Sequence, residues 1–251
     1  MKNLCTICMR GGSKGVPNKN FRNLLGKPLM AYTIEKAIES GLFEHVVVST
    51  DSEKISETAK SFGAEAWFLR PPELATDQTP KLPVIRHAVL ESEKYYGHKF
   101  DILTDLDATS PLRNMEDIKG AYTKFLNEDS DVLITASLAR KNPYFNMVEI
   151  KDGSVNLVKH TDLSKPLISP KASIPEALSF LPSRRQDAPE VYDMNASIYI
   201  WKRQTLLESS TLFAEKTSLY VMPAERSIDI DTELDWEFVE FIMLKKMKNN
   251  D

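Results

Sequence analysis

The stretch LCTICMRGGSKGVPNKN, residues 4–20, joins a short apolar segment to a glycine-rich loop that carries several positive charges. The apolar part predicts a strand, and the amphipathic segment after the loop predicts a helix. Arg10, Lys14 and Lys19 supply fixed positive charge, while the glycines allow backbone N–H groups to come close to an anion. A loop of this kind, between a strand and a helix, predicts a binding site for the triphosphate of a nucleotide.

The loop begins a longer alternation of strands and helices, which indicates an α/β protein with a mostly parallel sheet and helices on both faces. In such sheets ligands gather at the carboxyl ends of the strands. Strands are predicted at Leu4–Met9, His45–Ser49, Ala64–Phe68, Asp101–Leu106, Val132–Ala136, Ala196–Trp201 and Leu219–Met222. Helices are predicted at Leu29–Ser40, Ser52–Phe62, Leu82–Tyr95, Met115–Asn127, near Gln204–Glu208, and from Glu233 to about Lys248.

Residues 138–192 depart from this alternation of strands and helices. Six prolines fall in the segment, and Asp152-Gly153 predicts a turn between two short strands, Val148–Ile150 and Val155–Val158. We interpret residues 1–251 as a single domain with an inserted arm at about 138–192. The arm would serve as a lid over a substrate, as a dimer contact, or as both.

The overall composition limits the classes of function. The chain has 251 residues, of which 42% are hydrophobic and 27% charged, as is ordinary for a globular protein. Its net charge of −4 argues against a protein that binds nucleic acid. No apolar run approaches the roughly 18 residues of a membrane span, the first residues lead directly into a strand, and only two cysteines occur. We therefore expect a cytoplasmic protein without a membrane or nucleic-acid partner.

A second candidate site lies near the carboxyl terminus, in the run SIDIDTE at Ser227–Glu233. In an extended chain the alternation places Asp229 and Asp231 on one face, about 7 Å apart. Two such carboxylates suit Mg²⁺, which takes substrate phosphates as further ligands. The alternative is that the run only leads into the closing helix, with Asp231 or Thr232 as its N-cap.

Two further segments follow predicted strands and would lie at the same edge of the sheet. The run DATSPLR at Asp107–Arg113 places Thr109 and Ser110 where a substrate would bind, although a Ser-Pro turn before the next helix is by itself the simpler explanation. Arg70 follows the strand predicted at Ala64–Phe68 and would reach the nucleotide. A lone arginine in a loop is more often a surface residue.

The loop does not fit two common nucleotide-binding patterns. Gly26-Lys27 is followed by Pro28, so the Walker G-K-[ST] is absent, as is the G-x-G-x-x-G spacing of dinucleotide-binding loops. A tight turn at Gly11-Gly12 without any ligand stays open as an alternative. The four histidines are scattered, and no Ser–His–Asp or Cys–His arrangement indicates covalent catalysis.

Taken in chain order, these segments resemble the motifs of the acylneuraminate cytidylyltransferase family, the CMP-sialic acid synthetases. The run from Arg10 to Asn20 resembles the family's R-x-G-S-K-G-x-x-x-K-N loop. Further matches are Gly26–Leu29, Val47–Asp51, Arg70–Asp77 with R-P-x-x-L-A-x-D, Thr109–Arg113 with T-S-P-L-R, and Ser227–Asp231 with S-I-D-I-D. Because these motifs occur in order almost from end to end, the resemblance covers nearly the whole chain.

The resemblance implies a Rossmann-like nucleotidyltransferase fold with a small dimerisation arm, and therefore a homodimer. It also implies that CTP and a nine-carbon 2-keto sugar acid, a nonulosonic acid, react with Mg²⁺ to give a CMP-sugar and pyrophosphate. Arg10, Gly12, Ser13, Lys14, Lys19 and Asn20 would hold CTP, Arg70 would lie near the cytidine, Asp107, Thr109 and Ser110 would face the sugar, Arg185 would meet the sugar carboxylate, and Asp229 and Asp231 would bind the metal. Of these, Arg10, Lys14 and Asp231 would act directly in catalysis.

Some positions depart from the family pattern. Asp107 stands where the family often has a glutamine, while Asp193 and Asn146 stand where it often has an arginine and a lysine. The loss of cations near the sugar disfavours N-acetylneuraminic acid, and the segments Pro143–Val148 and Asn195–Tyr199 are more similar to enzymes of the legionaminic acid type.

A CMP-Kdo synthetase and a non-catalytic nucleotide-binding protein of the same fold are the alternatives. For the general base, Asp107 and a metal-bound hydroxide are both candidates.

All of these interpretations need the cationic loop near the amino terminus and the two aspartates near the carboxyl terminus to lie together. We therefore predict that residues 10–20 and Asp229–Asp231 converge around one magnesium–nucleotide cluster.

Overall fold

The computed structural model describes residues 1–159 and 184–250. Contacts along the chain divide it into two compact units, one formed by Met1–Ala136 with Met194–Asp251 and the other by Ser137–Asp193. The second unit covers the segment for which an inserted arm is predicted. Four of the six prolines in that segment lie in 160–183, outside the described residues, and the role of the unit as a lid or dimer contact stays a prediction.

Ten strands and six helices occur in the described ranges. In chain order they are β1 (Asn3–Cys8), β2 (Asn23–Leu24), β3 (Lys27–Pro28), α1 (Leu29–Glu39), β4 (His45–Ser49), α2 (Glu53–Ser61), α3 (Lys81–Tyr96), β5 (Ile102–Leu106), α4 (Met115–Asn127), β6 (Val132–Leu138), β7 (Val148–Lys151), β8 (Ser154–Leu157), β9 (Tyr192–Lys202), α5 (Arg203–Glu208), β10 (Thr217–Val221) and α6 (Glu233–Asn250). Across these ranges, no helix combines the length and the apolar character that crossing a membrane requires.

Six of the strands form one sheet, in the order β10-β6-β9-β5-β1-β4. The central strand β1 pairs in parallel with both β4 and β5, and β10 pairs in parallel with β6, whereas β9 runs antiparallel to β5. The predicted α/β class with a mostly parallel sheet is therefore confirmed. Because the chain passes from β1 to β4 on one side and returns to β5 on the other, the connections after these strands open a crevice at their carboxyl ends.

Side chains of β1 alternate between two apolar clusters, one on each face of the sheet. Cys5 and Ile7 pack into a cluster with residues of α1, α2 and α4, including Ile34. Leu4 packs into the other cluster with residues of α3 such as Ile85. This alternation, which follows from the two-residue period of a strand, places helices on both faces of the sheet as predicted.

Local sequence signals set the helix boundaries. The side chain of Ser52 caps α2 by accepting a hydrogen bond from the N–H of Ile55 at 3.4 Å. Asn114 and Asp117 form a reciprocal capping box at the start of α4. Helix α3 ends at Gly97, which adopts a φ of 72° without the steric cost that a side chain would impose.

The strand predicted at Ala64–Phe68 is wrong. Only Glu65 pairs with the edge of the sheet, through a single parallel bridge to Val47. The two alanines of the segment are buried in the core, which accounts for the apolar pattern. Trp67 leaves the sheet edge and stacks on Tyr95 with ring centroids 4.3 Å apart. The apolar sequence pattern that predicted a strand here therefore reflects the burial of side chains and not the pairing of a strand in the sheet.

The second unit contains the hairpin that the sequence predicts. Strands β7 and β8 pair antiparallel, with Val148 opposite Leu157. Asp152 and Gly153 at the turn have φ angles of 52° and 76°, the positive values that a two-residue type I′ turn requires. The hairpin prediction is confirmed.

Candidate active site

The glycine-rich loop, residues 10–20, is fixed to the body of the first unit. Val16 is fully buried in the same apolar cluster as Ile230. The backbone N–H of Gly11 donates to Asp51 Oδ1 at 2.8 Å, at the carboxyl end of β4. The loop is therefore not an isolated tight turn. The burial of Val16 against Ile230 holds it beside the acidic run near the carboxyl terminus.

The loop and the acidic run are in direct contact, as the sequence predicts. The ammonium group of Lys19 donates to the carbonyl oxygen of Ile230 at 2.6 Å and lies 3.1 Å from Asp231 Oδ1. Gly15 passes so close that a Cβ atom added there would lie 1.9 Å from the carbonyl oxygen of Asp231. Glycine at this position is therefore required by space.

A cavity of about 160 Å³ lies beside this contact. It is lined by the predicted nucleotide-binding residues of the loop and by one of the aspartates, namely Arg10, Gly12, Ser13, Lys14, Gly15, Lys19, Asn20 and Asp231. The buried amide of Asn20 donates to the carbonyl oxygen of Arg10 at 3.0 Å and so braces the loop. Arg10 and Lys14 both form ion pairs with Asp77. Two cations that reach one carboxylate are also close enough to bind one phosphate group.

A second cavity, of about 260 Å³, shares Arg10 with the first. Its lining consists of Cys8, Arg10, Arg70, Leu74, Ala75, Thr76, Asp77, Thr79, Lys81, Val84 and Asp107. Arg70 is buried, and its guanidinium donates to the carbonyl oxygens of Met9 and Ser49. The arginine is thus neither a surface residue nor a free cation, because it braces the ends of β1 and β4 while it lines the cavity.

The acidic run Ser227–Asp231 forms no strand, but it keeps the alternation read from the sequence. Its two isoleucines pack into the apolar cluster that contains Val16, which leaves the aspartates for polar contacts. Asp229 accepts a hydrogen bond from the hydroxyl of Ser110 on the loop after β5. Asp231, by contrast, meets the glycine-rich loop. The run therefore joins the loops that follow β1 and β5.

The structure also decides which residue caps α6. The hydroxyl of Thr232 accepts a hydrogen bond from the N–H of Asp235 at 3.2 Å, and Asp235 accepts one from the N–H of Thr232 at 2.7 Å. This reciprocal pair is a capping box. Thr232 is thus the cap, and the exposed carboxylate of Asp231 faces Lys19 instead of capping the helix.

The environment of the two aspartates fits a divalent cation. Burial raises the pKa of Asp229 to about 7, and the negative charges of Asp107 and Asp231 act in the same direction against the opposing hydrogen bond from Ser110. Burial and neighbouring negative charges disfavour the ionised form of Asp229. A bound divalent cation would stabilise that form, so the site fits a metal. Within residues 1–159 and 184–250, no three His, Cys, Asp or Glu side chains form a metal cluster. Two carboxylates would therefore need phosphate oxygens of a substrate to complete a Mg²⁺ shell.

Sequence reasoning missed an ionic network beside the larger of these two cavities. Lys81 is the first residue of α3, and its Nζ lies 3.0 Å from Asp105 Oδ2 and 3.1 Å from Asp107 Oδ2. Asp105 is fully buried in β5, where it accepts a hydrogen bond from Thr6 at 2.9 Å. Two signals could have revealed the network. An aspartate interrupts the apolar strand ILTDL, and a lysine stands at a helix N-terminus, where the helix dipole disfavours a cation.

This network makes Asp107 a poor general base. Its Oδ1 accepts hydrogen bonds from the N–H of Thr109 at 3.0 Å and from the Thr109 hydroxyl at 2.9 Å, while its Oδ2 faces Lys81. Burial acts to raise the pKa of Asp107, but the charge of Lys81 and the bonds from Thr109 outweigh it and lower the pKa to about 2. Ser110 is 1% exposed. Contacts of Asp107, Thr109 and Ser110 with a sugar stay predictions.

We expect Asp107→Asn to destabilise the protein in a pH-dependent way. An unfolded aspartate titrates near 3.9, so a folded pKa of about 2 contributes about 2 kcal/mol. That stability is present above the unfolded pKa and is lost as the pH falls through the folded pKa. Urea denaturation of Asp107→Asn should therefore show a loss of about 2 kcal/mol at pH 7 that shrinks at pH 3.

The control for this measurement is Asp152→Asn at the exposed turn between β7 and β8. This substitution should change the free energy of unfolding by the same small amount at both pH values. A loss for Asp107→Asn that is equal at pH 7 and pH 3 would contradict the assigned ionic contacts.

Arg185 lies in the second unit, in a short 3₁₀ turn. Its guanidinium donates to the carbonyl oxygen of Ala139 at 2.7 Å. A cavity of about 410 Å³ is lined there by Leu138, Ala139, Asn142, Arg185, Gln186, Ala188, Pro189, Glu190 and Val191. The contact of Arg185 with a sugar carboxylate stays a prediction.

Comparison with known proteins decides the family. The sequence model of the cytidylyltransferase family matches residues 4–240. The chain belongs to this family. It is thus an enzyme of the nucleotidyltransferase class, and the family that its motifs resemble is confirmed.

Several relatives match this cytidylyltransferase over nearly its whole length. The CMP-N,N'-diacetyllegionaminic acid synthase of Campylobacter jejuni is 47% identical over 249 residues, covering 99% of this chain and 98% of the relative. The post-translational flagellin modification protein B of Campylobacter coli is 44% identical over 243 residues, covering 97% and 95%. A pseudaminic acid cytidylyltransferase of Campylobacter jejuni is 34% identical over 242 residues, covering 96% of each chain.

A solved structure shares the fold. The CMP:2-keto-3-deoxy-manno-octonic acid synthetase complexed with CTP superimposes with a TM-score of 0.67 at 17% sequence identity, covering 98% of this chain and 100% of that one. The nucleotidyltransferase fold implied by the sequence motifs is therefore confirmed.

Proposed function

We propose that this cytidylyltransferase activates a nonulosonic acid of the legionaminic type with CTP, giving the CMP-sugar and pyrophosphate. The observation that carries the proposal is the 47% identity over 99% of the chain to a CMP-N,N'-diacetyllegionaminic acid synthase. The pseudaminic acid relative is 34% identical, and the octonic acid synthetase only 17%. The gap between 47% and 34% favours the substrate of the first relative over a pseudaminic acid, while the 17% likeness to the octonic acid synthetase shows only a shared fold. The presence of Arg10, Lys14, Asp229 and Asp231 at the family motifs argues against a non-catalytic nucleotide-binding protein.

The geometry supports an in-line displacement at the α-phosphorus of CTP. The anomeric hydroxyl oxygen of the sugar forms the new bond to phosphorus, and the bond from phosphorus to the oxygen of the β-phosphate breaks. Pyrophosphate leaves, and the hydroxyl proton passes to hydroxide, which forms water, because Asp107 is already held by Lys81 and Thr109. Arg10 and Lys14, which reach a common carboxylate, would neutralise the leaving group. Positioning and electrostatic stabilisation are the main contributions to catalysis in reactions of this kind.

We further propose a metal, an assembly state and a location. Asp229 and Asp231 would hold Mg²⁺, which neutralises phosphate charge and lowers the pKa of the attacking hydroxyl when bound. The second unit, Ser137–Asp193, would form the homodimer contact, and the protein would be cytoplasmic. The metal assignment rests on the family motifs and on the raised pKa of Asp229, the homodimer on the family resemblance, and the location on the low number of cysteines.

A pyrophosphate-release assay tests the proposed substrate. The purified chain is supplied with CTP, Mg²⁺ and, in separate reactions, legionaminic, pseudaminic, neuraminic and Kdo acids. We expect the highest kcat/KM with the diacetylated legionaminic acid, and no release without a sugar. A preference for Kdo or a pseudaminic acid would reassign the substrate, and CTP binding without turnover of any sugar would refute the enzymatic proposal.

A further inference from the structure

The two cations of the glycine-rich loop that would face the leaving phosphates are held by an acid from another loop. Arg10 Nη1 pairs with Oδ1 of Asp77, and Lys14 Nζ pairs with Oδ2 of the same side chain. Among the residues that the structure describes, Arg10 and Lys14 form no other ion pair. Asp77 therefore makes the two contacts that a pair of phosphate oxygens would make.

This contact is accessible to solvent. The side chain of Asp77 is 40% exposed, that of Arg10 35% and that of Lys14 79%. An ion pair in such a setting contributes little stability, because water solvates the separated charges and salt screens their attraction. Pyrophosphate and the outer phosphates of CTP each carry more negative charge than one carboxylate. They can therefore replace Asp77 on both cations.

The segment that carries Asp77 is fixed at both ends and exposed between them. At one end Arg70 is buried and donates to carbonyl oxygens at the ends of β1 and β4. At the other end Lys81 belongs to the ionic network with two aspartates. Asp77 and its two neighbours are exposed, and the hydroxyls of Thr76 and Thr79 lie 2.6 Å apart across a short turn around it. The carboxylate can thus leave the loop cations while both ends of its segment stay in place.

We propose that Asp77 competes with the phosphates of CTP and of pyrophosphate for Arg10 and Lys14. The inference rests on the proposed function, from which it takes CTP as the nucleotide and pyrophosphate as the product. When CTP binds, its outer phosphates contact the two cations, and the carboxylate of Asp77 turns towards solvent. When pyrophosphate leaves, Asp77 pairs with the cations again. Asp77 is therefore a positioning residue that limits how tightly the site holds its product.

The competition has a defined effect on affinity. We call the enzyme open when Arg10 and Lys14 are released from Asp77. A ligand that needs the open form has an apparent Kd equal to its intrinsic Kd divided by the open fraction. Two exposed ion pairs correspond to an open fraction of about one fifth, so Asp77→Asn, which removes the competing charge, should bind CTP about fivefold more tightly. If Asp77 only ordered the cations for phosphate, the same substitution would weaken binding.

Isothermal titration calorimetry of the full-length chain without sugar tests the proposal, at one fixed concentration of Mg²⁺. The ligands are CTP, pyrophosphate and cytidine. In Asp77→Asn we expect the Kd of CTP and of pyrophosphate to fall about fivefold, whereas the Kd of cytidine, which has no phosphate, should not change. Raising the ionic strength should reduce the difference from the unsubstituted chain, because salt screens the ion pairs that compete with the phosphates.

Two variants serve as controls. Glu73→Gln removes an exposed acid from the same segment, four residues before Asp77, and should leave all three Kd values unchanged. Asp77→Glu keeps the negative charge and should bind CTP and pyrophosphate like the unsubstituted chain. Thermal unfolding without ligand checks that each variant is folded, as is expected because both positions are exposed.

Several results would overturn the proposal. They are a Kd of CTP that rises or stays the same in Asp77→Asn, an equal fall in the Kd of cytidine, and an equal fall in Glu73→Gln. None of these results depends on the sugar. Tighter binding of CTP and pyrophosphate to Asp77→Asn, in a chain that turns over no sugar, would support the competition and refute the proposed function. An unsubstituted chain that does not bind CTP would refute both.

Discussion

Asp231→Asn is expected to lower kcat by about a thousandfold while leaving the free energy of unfolding unchanged. The substitution keeps the size of the side chain but removes the charge that would hold the metal beside the nucleotide phosphates. Its effect on turnover would be measured by pyrophosphate release at saturating CTP and sugar, and its effect on stability by urea denaturation. The two measurements together separate a role in catalysis from a role in folding.

The structure explains why this variant should fold normally. The side chain of Asp231 is 76% exposed, and Lys19, its ion-pair partner, keeps its hydrogen bond to the carbonyl oxygen of Ile230 in the variant. The cap of α6 is the adjacent Thr232, so the helix start is preserved. Glu225→Gln serves as the matched control, because it neutralises an exposed acid only six residues away and should retain full turnover. Turnover of Asp231→Asn within threefold of that control would end the assignment of this residue to the metal.

Gly15→Ala is expected to lower turnover about a hundredfold and the free energy of unfolding by about 2 kcal/mol. The added methyl group would lie 1.9 Å from the carbonyl oxygen of Asp231 and 3.1 Å from its carbonyl carbon, so backbone must move on one side or the other. Either movement separates the loop cations from the acidic run. Pyrophosphate release and thermal unfolding of the same preparation would report both effects.

Gly12→Ala is the control for the stability half of this prediction. A Cβ atom at Gly12 would meet nothing within 4 Å, so the variant should unfold like the unsubstituted chain. If Gly15→Ala also unfolds at the same temperature and keeps its turnover, the close approach of the loop to Asp231 is not required for the site.

Much of the fold could be predicted from local sequence patterns. The apolar runs of β1, β4 and β5 and the caps of α2 and α4 depend on neighbours within a few residues, and the structure has them where the patterns indicate. The one predicted strand that fails, Ala64–Phe68, is apolar because its side chains are buried. Burial and strand pairing give the same pattern in so short a segment.

The site was predictable only in part. The residue types of the glycine-rich loop and of the acidic run indicated phosphate and cation chemistry, and their order along the chain indicated the family. The network of Lys81, Asp105 and Asp107 was missed, because its members come from a helix start, a buried strand and a loop that are adjacent only after folding. A charged residue within an apolar strand, such as Asp105, does not by itself indicate which residue will neutralise it after folding.

By itself, the sequence determined the alternation of strands and helices, the chemistry available at each loop and the family, since all three depend on residue type and short-range spacing. Only the tertiary structure decided that Thr232 rather than Asp231 caps α6, that Gly15 is required by space, and that Arg70 is buried against the ends of β1 and β4. The physical reason is that each of these outcomes depends on atoms brought together by packing. Lys19 and Asp231 are more than 200 positions apart in the chain, and the shared burial of Val16 and Ile230 brings them into contact.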